Sequence, residues 1–362
     1  MTRTPAEDLV DPPAHEPPTT KEGWAAFIEQ QPSRIEVLAT ARLAALTPAE
    51  RDTYDDARIA HHARLIIVAT PTVDQIVNTG RRLVLLNRGT DTARRGLVVT
   101  GDSGTGKSTA IKQLGKHHEL LARRRRTAPG PFLPVVYVTV PPAATPKVLA
   151  AEFARFLGLP LPRNLNQVNI TNAVCDVLSQ LGTDLVLVDE IHNLNLATRV
   201  GAEASDQLKY LAERLPATFV YAGIDVERAG LFSGVRGRQI AGRFASITTT
   251  AFAYGTRTQR EQWAALVSAL EHALRLHQHR TGSLLRLSGY LHERTSGMIG
   301  SLSHLIRDAA IEAIFDGTER ITKTALDRVV LDHAAEHPRP GAAASPARPR
   351  RMPAHTASSG AA

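Results

Sequence analysis

The sequence contains a single cysteine, Cys175. One thiol excludes an intramolecular disulfide and a zinc site built from cysteines. Long hydrophobic runs are also missing. No window approaches the ~18 apolar residues that a bilayer-spanning helix needs. The first twenty residues, MTRTPAEDLVDPPAHEPPTT, lack the apolar stretch of a secretory signal, so a cytoplasmic location without membrane contact is expected. The histidines show no paired metal spacing with acids on one helix face. His61-His62 and His117-His118 read as surface or half-buried residues rather than ligands. Lysine is scarce: 7 of the 43 basic residues, in a chain with net charge +8 and pI ≈ 9.9. That balance is compatible with a nucleic-acid partner, and equally with the arginine bias of a GC-rich genome.

What remains is ample. Apolar residues make up 43% of 362 positions, enough for a sizeable core in one large domain or two modest ones. Residues 1–20 are Pro-rich and acidic and read as a disordered tail. Residues 21–90 carry helical patterning, with Pro48 after Thr47 and Pro71 after Thr70 as expected helix starts. Residues 91–257 alternate short apolar runs with amphipathic stretches. Strands are expected at Leu97–Val99, Val135–Val140, Leu185–Val188, Phe219–Ala222 and Ile247–Phe252. Helices are expected from Lys107 to about Arg123, and at Thr145–Leu157, Gln167–Leu181 and Ala204–Leu215. The pattern predicts a doubly wound α/β fold, a parallel sheet with helices on both faces. Residues 258–333 carry only helical signals and are expected to form a small helical lid. The rest, 334–362, is Pro/Ala/Arg-rich and reads as a flexible tail, in which Arg348, Arg350 and Arg351 are more simply solvated than bound to phosphate.

The chemistry concentrates in two places. Gly101-Asp102-Ser103-Gly104-Thr105-Gly106-Lys107-Ser108 fits the phosphate-loop pattern, with Thr109 following. Glycines let successive backbone N–H groups converge on phosphate oxygens, and the following helix adds its positive end. Lys107 would reach the β- and γ-phosphates, and Ser108 would offer a hydroxyl to magnesium. A plain glycine turn does not account for Lys107-Ser108 at a helix start. The second place is Leu185-Val-Leu-Val-Asp189-Glu190, an apolar strand ending in two acids. In a parallel sheet both fall at the carboxyl edge, beside the loop. Asp189 would hold Mg2+, mainly through its water shell, and Glu190 would polarise the attacking water of ATP hydrolysis. The bland alternative is a capping pair at the next helix. An extra strand, Val135–Val140, lies between the two motifs. It argues against nucleotide kinases and small GTPases and suits the additional-strand ATPases.

These residues resemble the AAA+ ATPases of the transposition-helper group, TniB and TnsC, with MuB more distant. The resemblance spans about residues 60–333. It is carried by His61-His62 with Ile66–Val73, by Val135–Val138 before Pro141-Pro142, and by Asp189-Glu190-Ile191-His192-Asn193-Leu194. Gln239–Phe244 and Thr295–Ile306 complete it. It implies an arginine finger at Arg243 that reaches a neighbouring subunit's γ-phosphate, with Arg236 and Arg238 as alternatives and a surface arginine as the plain reading. It also implies a homo-oligomeric ring or filament, double-stranded DNA as a partner contacted near Thr145, Lys147 and Arg199, and recruitment of a transposase or integrase. The sequence departs from the family pattern twice. The end of the fourth strand, Phe219–Asp225, has no clear polar sensor, Asp225 and Tyr221 being the candidates, and Gly297–Gly300 lacks a sensor arginine. Slow or assembly-dependent hydrolysis is therefore expected. Other readings are a replication initiator or helicase loader, and a signalling or defence NTPase that binds proteins. A winged-helix module after the lid would favour an initiator. Arg123–Arg126 are read as closing the helix after the loop, where cations complement its dipole.

Overall fold

The computed structural model describes residues 16–31, 35–65, 67–162, 164–194, 198–226 and 242–331. The expectations for both terminal tails beyond these limits, for Ile66, for Arg236 and Arg238, and for Gln239–Ala241 lie outside the described residues. Before the sheet come α1 (Lys21–Glu29), α2 (Thr40–Ala44), α3 (Pro48–Ala63) and α4 (Pro71–Asn87). The alternating part follows as β1 (Gly96–Gly101), α5 (Lys107–Arg125), β2 (Val135–Thr139), α6 (Pro146–Phe156), α7 (Gln167–Gln180), β3 (Leu185–Asp189), α8 (Arg199–Arg214), β4 (Thr218–Gly223) and β5 (Phe244–Thr249). Among the described residues after Thr256 the elements are all helical: α9 (Arg257–His272), α10 (Ser283–Arg286), α11 (Ser288–Thr295), α12 (Ile299–Phe315) and α13 (Lys323–Arg328).

The five strands are parallel, in the order β2-β3-β4-β1-β5. β3, which carries the acidic pair, is separated from β1 by β4, the inserted-strand arrangement of additional-strand P-loop ATPases. β1, β3 and β4 are buried along nearly their whole length, so their runs of Val, Leu and Ala face apolar neighbours on both sides. Local chemistry sets the helix starts. Thr47 and Glu50 form a reciprocal capping box with Pro48 in the first turn, and the Thr70 hydroxyl accepts the Val73 N–H at 3.3 Å ahead of Pro71. α8 begins at Arg199, five residues earlier than its apolar periodicity suggests, because Thr198 caps the Gly201 N–H at 3.1 Å.

β5 lies three residues upstream of its expected start. Its register pairs Gly96 with Phe244 and Gly101 with Thr249. The Phe244 ring covers Gly96, where a Cβ would come within 2.1 Å of it, and stacks on Tyr221 at 4.9 Å. Phe252 has left the sheet and donates its N–H to Gly297 O at 2.8 Å.

The helices ahead of the sheet divide between two hydrophobic cores. α1 joins the sheet core: Trp24 is fully buried, packs on Gly115, stacks on Tyr137 at 5.8 Å and donates to Glu119 at 2.6 Å. Arg123 closes on the same Glu119, which ties it into the fold. α3 joins the helical core instead. Arg58, fully buried, donates to both Glu319 oxygens at 2.6 and 2.7 Å and also contacts Asp55. His62 and His118 are buried rather than at the surface. The His62 Nε2 accepts the Arg275 N–H, and His118 pairs with Asp184 at 2.6 Å. Burial, with His61 and Arg58 adding to it, pushes the His62 pKa down to about 3, so the ring is neutral.

Glu319→Ala should destabilise the protein by about 3–5 kcal/mol, because it strands a buried guanidinium. Replacing both partners, Arg58→Met with Glu319→Leu, should cost far less. Urea unfolding of the single and double variants measures the difference, and equal losses would remove the ion pair from the helical core.

Candidate nucleotide-binding site

β1 delivers the chain into the loop between Gly101 and Lys107. Gly101 has φ 147°, and a Cβ there would lie 2.1 Å from Thr249 O, so β5 leaves room for glycine only. Gly104 and Gly106 are left-handed, at φ 75° and 92°. Thr105 braces the turn: its hydroxyl lies 2.7 Å from both Asp102 O and Thr249 Oγ1. Gly106 occupies the N-cap of α5 with no side chain to satisfy the first-turn N–H groups, which leaves them for an anion. Lys107 is 8% exposed and its ammonium donates to Asp102 O at 2.7 Å. Burial lowers its pKa, and Glu190, Asp189, Asp102 and Asp225 oppose that shift, which places the ammonium within the field of the acidic edge.

Asp189, 2% exposed, ends β3. One oxygen accepts the Tyr137 hydroxyl at 2.8 Å and the other accepts the Glu190 N–H at 2.9 Å. Burial pushes the Tyr137 pKa up, and the Asp189 charge adds to this, so the phenol stays a donor. Glu190 turns sharply with φ 56°, a conformation that costs a non-glycine residue about 1–3 kcal/mol and recurs at functional sites. The turn directs the chain away from the sheet into Ile191–Asn193 and leaves the Glu190 side chain 42% exposed.

The loop and Glu190 line part of a cavity of about 350 Å³. Ser103 to Ala110 all belong to the lining, so Ser108 and Thr109 lie beside Lys107 as the motif requires. The rest of the lining was not read from the sequence. Its apolar part comes from Leu65, Ile67, Val68 and Val73 in the segment leading into α4, Phe252 after β5, Leu270 from the helical part, and Ile299, which also lies against Gly106 of the loop. Such a wall suits a planar base. The apolar run at Ile66–Val73 was its one sequence signal. α12 closes the cavity against the loop. The Gly300 N–H donates to Gly104 O at 2.9 Å, and a Cβ on Gly300 would meet Gly104 at 3.1 Å. Ser303, one turn further along α12, also lines the cavity, and its buried hydroxyl has no partner among the described residues.

Other expected residues lie elsewhere. Arg243 sits at the amino end of β5, beside a second cavity of about 300 Å³, 3.6 Å from Glu213. Its neighbour Phe244 pairs with Gly96, the first residue of β1. The length of β1, about 16 Å of strand, separates that end from the phosphate loop. Tyr221 is buried against Phe244 and is not at the cavity, whereas Asp225 is near enough to act on Lys107. Thr145 caps α6, and Arg199 is exposed and pairs with Glu203 at 2.8 Å.

Residues 58–254 match the family described as bacterial TniB protein. Among curated proteins none matches the chain in sequence. Among solved structures it is similar to the ORC1 protein of Aeropyrum pernix in complex with DNA, with TM-score 0.57, 17% identity and coverage of 74% of this chain and 67% of that one. It is also similar to the Aeropyrum pernix ORC2 protein in its ADPNP-ADP complexes (TM-score 0.56, 15% identity, coverage 74% and 70%). Drosophila ORC bound to DNA follows with TM-score 0.51, 10% identity and coverage 83% and 68%. At these identities the likeness is one of fold.

Gly104→Ala meets nothing within 4 Å and should cost only the left-handed penalty, about 1–2 kcal/mol. Gly101→Ala should lose a further ~1–3 kcal/mol, because its methyl must displace the β5 backbone. Paired urea midpoints test this, and equal losses would mean that β5 does not brace the loop.

Proposed function

The chain belongs to the bacterial TniB family, and from that premise we propose that it is an ATP-hydrolysing AAA+ regulator that assembles on duplex DNA in its ATP state and recruits a transposase for target selection. The observation that carries the ATPase part is the convergence of Lys107, Asp189 and Glu190 at the carboxyl edge of one sheet, with Lys107 and Glu190 lining a cavity that also has an apolar lining. The triphosphate would lie along the loop N–H groups and Lys107, and the base against apolar residues such as Val68 and Phe252. Water attacks the γ-phosphorus, the bond to the β,γ-bridging oxygen breaks, and its electron pair leaves with ADP. Glu190 orients the water and receives its proton. Ser108 and Asp189 would hold magnesium. Both are hard oxygen donors, and each Asp189 oxygen keeps a lone pair beyond the hydrogen bond it already accepts, which fits an ion held largely through water. The ion would neutralise charge on the β- and γ-oxygens.

Family membership supports the DNA and transposase parts, and the basic pI agrees with a phosphate-backbone partner. The same fold occurs with DNA in the Aeropyrum pernix protein. Arg243 supports assembly. It lies at the amino end of β5, away from its own loop, so as a finger it would act on a neighbour's nucleotide rather than its own.

Glu190→Gln should keep ATP-dependent, salt-sensitive retardation of duplex DNA while phosphate release stops. Retardation that ignores ATP would overturn the regulated-assembly reading. Lys107→Ala should lose nucleotide affinity without a change in melting temperature.

Arg243→Ala should bind ATP normally yet lose DNA-stimulated turnover. Mixed with Lys107→Ala it should recover part of that turnover, since one mixed interface pairs an intact loop with an intact finger. Co-assembled mixtures that stay inactive would remove Arg243 from the site.

A further inference from the structure

The turn after β3 holds a polar ring with no assigned role in the phosphate chemistry. The Nδ1 of His192 accepts the N–H of Ile224, the residue just beyond β4, at 3.3 Å. A neutral imidazole that accepts at Nδ1 carries its proton on Nε2. That Nε2 lies 3.3 Å from Glu190 Oε2. A single ring therefore spans from the backbone at the end of β4 to the carboxylate that faces the cavity.

The surrounding backbone has little freedom. A Cβ on Gly223 would meet Ile191 Cγ2 at 2.7 Å and the His192 nitrogen at 3.1 Å, so the turn is wedged against β4. On the other side the Asn193 amide donates to Val140 O at 2.8 Å, just past β2. The Glu190 side chain is the mobile part: it is 42% exposed on three rotatable bonds. The end of β4, Gly223-Ile224-Asp225, offers no asparagine, serine or threonine to steady it.

We infer that His192 is a positioning residue for hydrolysis: it holds Glu190 where it can receive the proton of the attacking water, and ties that orientation to the backbone at the end of β4. The inference rests on the proposed ATPase activity. His192 acts through Glu190 and touches no reacting atom. A displacement of the chain at Ile224, just beyond β4, would thus reach Glu190 through one ring.

The test compares substitutions at His192 in the full chain assembled on DNA. In His192→Ala, ATP affinity should stay within about twofold of wild type while single-turnover hydrolysis falls roughly 10- to 100-fold. Amide exchange at Ile224 should accelerate. His192→Asn places an oxygen where Nδ1 stood, so it should keep the Ile224 protection but not the rate. His192→Gln reaches as far as Nε2 and should restore part of the rate. Wild-type hydrolysis in His192→Ala, or a loss of ATP affinity in step with the rate, would overturn the inference. An inactive wild type would overturn the ATPase reading and this one with it, whereas an active wild type beside an equally active His192→Ala would overturn only this one.

Discussion

A phosphate loop keeps its shape only if the strand that feeds it cannot move. β1 is paired along its length with β4 on one side and β5 on the other, and at its last residue the Thr249 backbone presses on Gly101. The Thr249 hydroxyl then binds the loop at Thr105 Oγ1 and donates to Thr100 O in β1 at 3.2 Å. The left-handed glycines of the loop carry a conformational-entropy cost that this bracing offsets. The acidic edge is built in the same way. Asp189 holds Tyr137 from β2 and the Glu190 N–H, so that the orientation of the carboxylate is set by two neighbours before any nucleotide arrives. Both halves of the site are therefore products of parallel strand register.

The second constraint is the route of the chain between two hydrophobic cores. α1 packs on the sheet, α3 on the helical part, α4 on the sheet again, and α9 to α13 form the bulk of the helical core. Leu65, Ile67 and Val68 lie between α3 on one core and α4 on the other, and they form part of the apolar cavity lining. The connection from Thr249 to Phe252 forms another part. The place where a base would sit thus coincides with the connections between the cores. The Gly300–Gly104 contact joins the helical part to the phosphate loop at the same cavity.

This explains how far the sequence could be read. The strands, the glycine loop and the acidic pair were legible because each is written in consecutive residues with a local reason for every position. The start of β5 was not. Phe244 to Thr249 form an edge strand of mixed burial, and only pairing with Gly96 and Gly101 fixes its register. The apolar lining of the cavity was illegible because Val68, Phe252, Leu270 and Ile299 come from separate segments, each with an ordinary apolar residue. α3 shows the same limit. Its periodicity reveals a buried face, but the partner of that face, Glu319, lies 261 residues away. The full burial of His62 was not legible either, because it depends on partners as distant as Arg275.

The charge around Lys107 gives the site its last constraint. Four carboxylates, those of Glu190, Asp189, Asp102 and Asp225, act on one buried ammonium. A triphosphate would bring several more negative charges into the same low-dielectric corner, where like charges repel far more than in water. The loop N–H groups and the α5 dipole offset only part of this, since a helix end carries roughly half an elementary charge. Lys107 uses one of its three N–H donors on Asp102 O, and a phosphate oxygen would offer the others a charged acceptor. A cation that enters with the nucleotide would offset more of the negative charge. Magnesium in the proposed reaction would thus serve binding as well as chemistry, since it would bring positive charge to the acids beside Lys107.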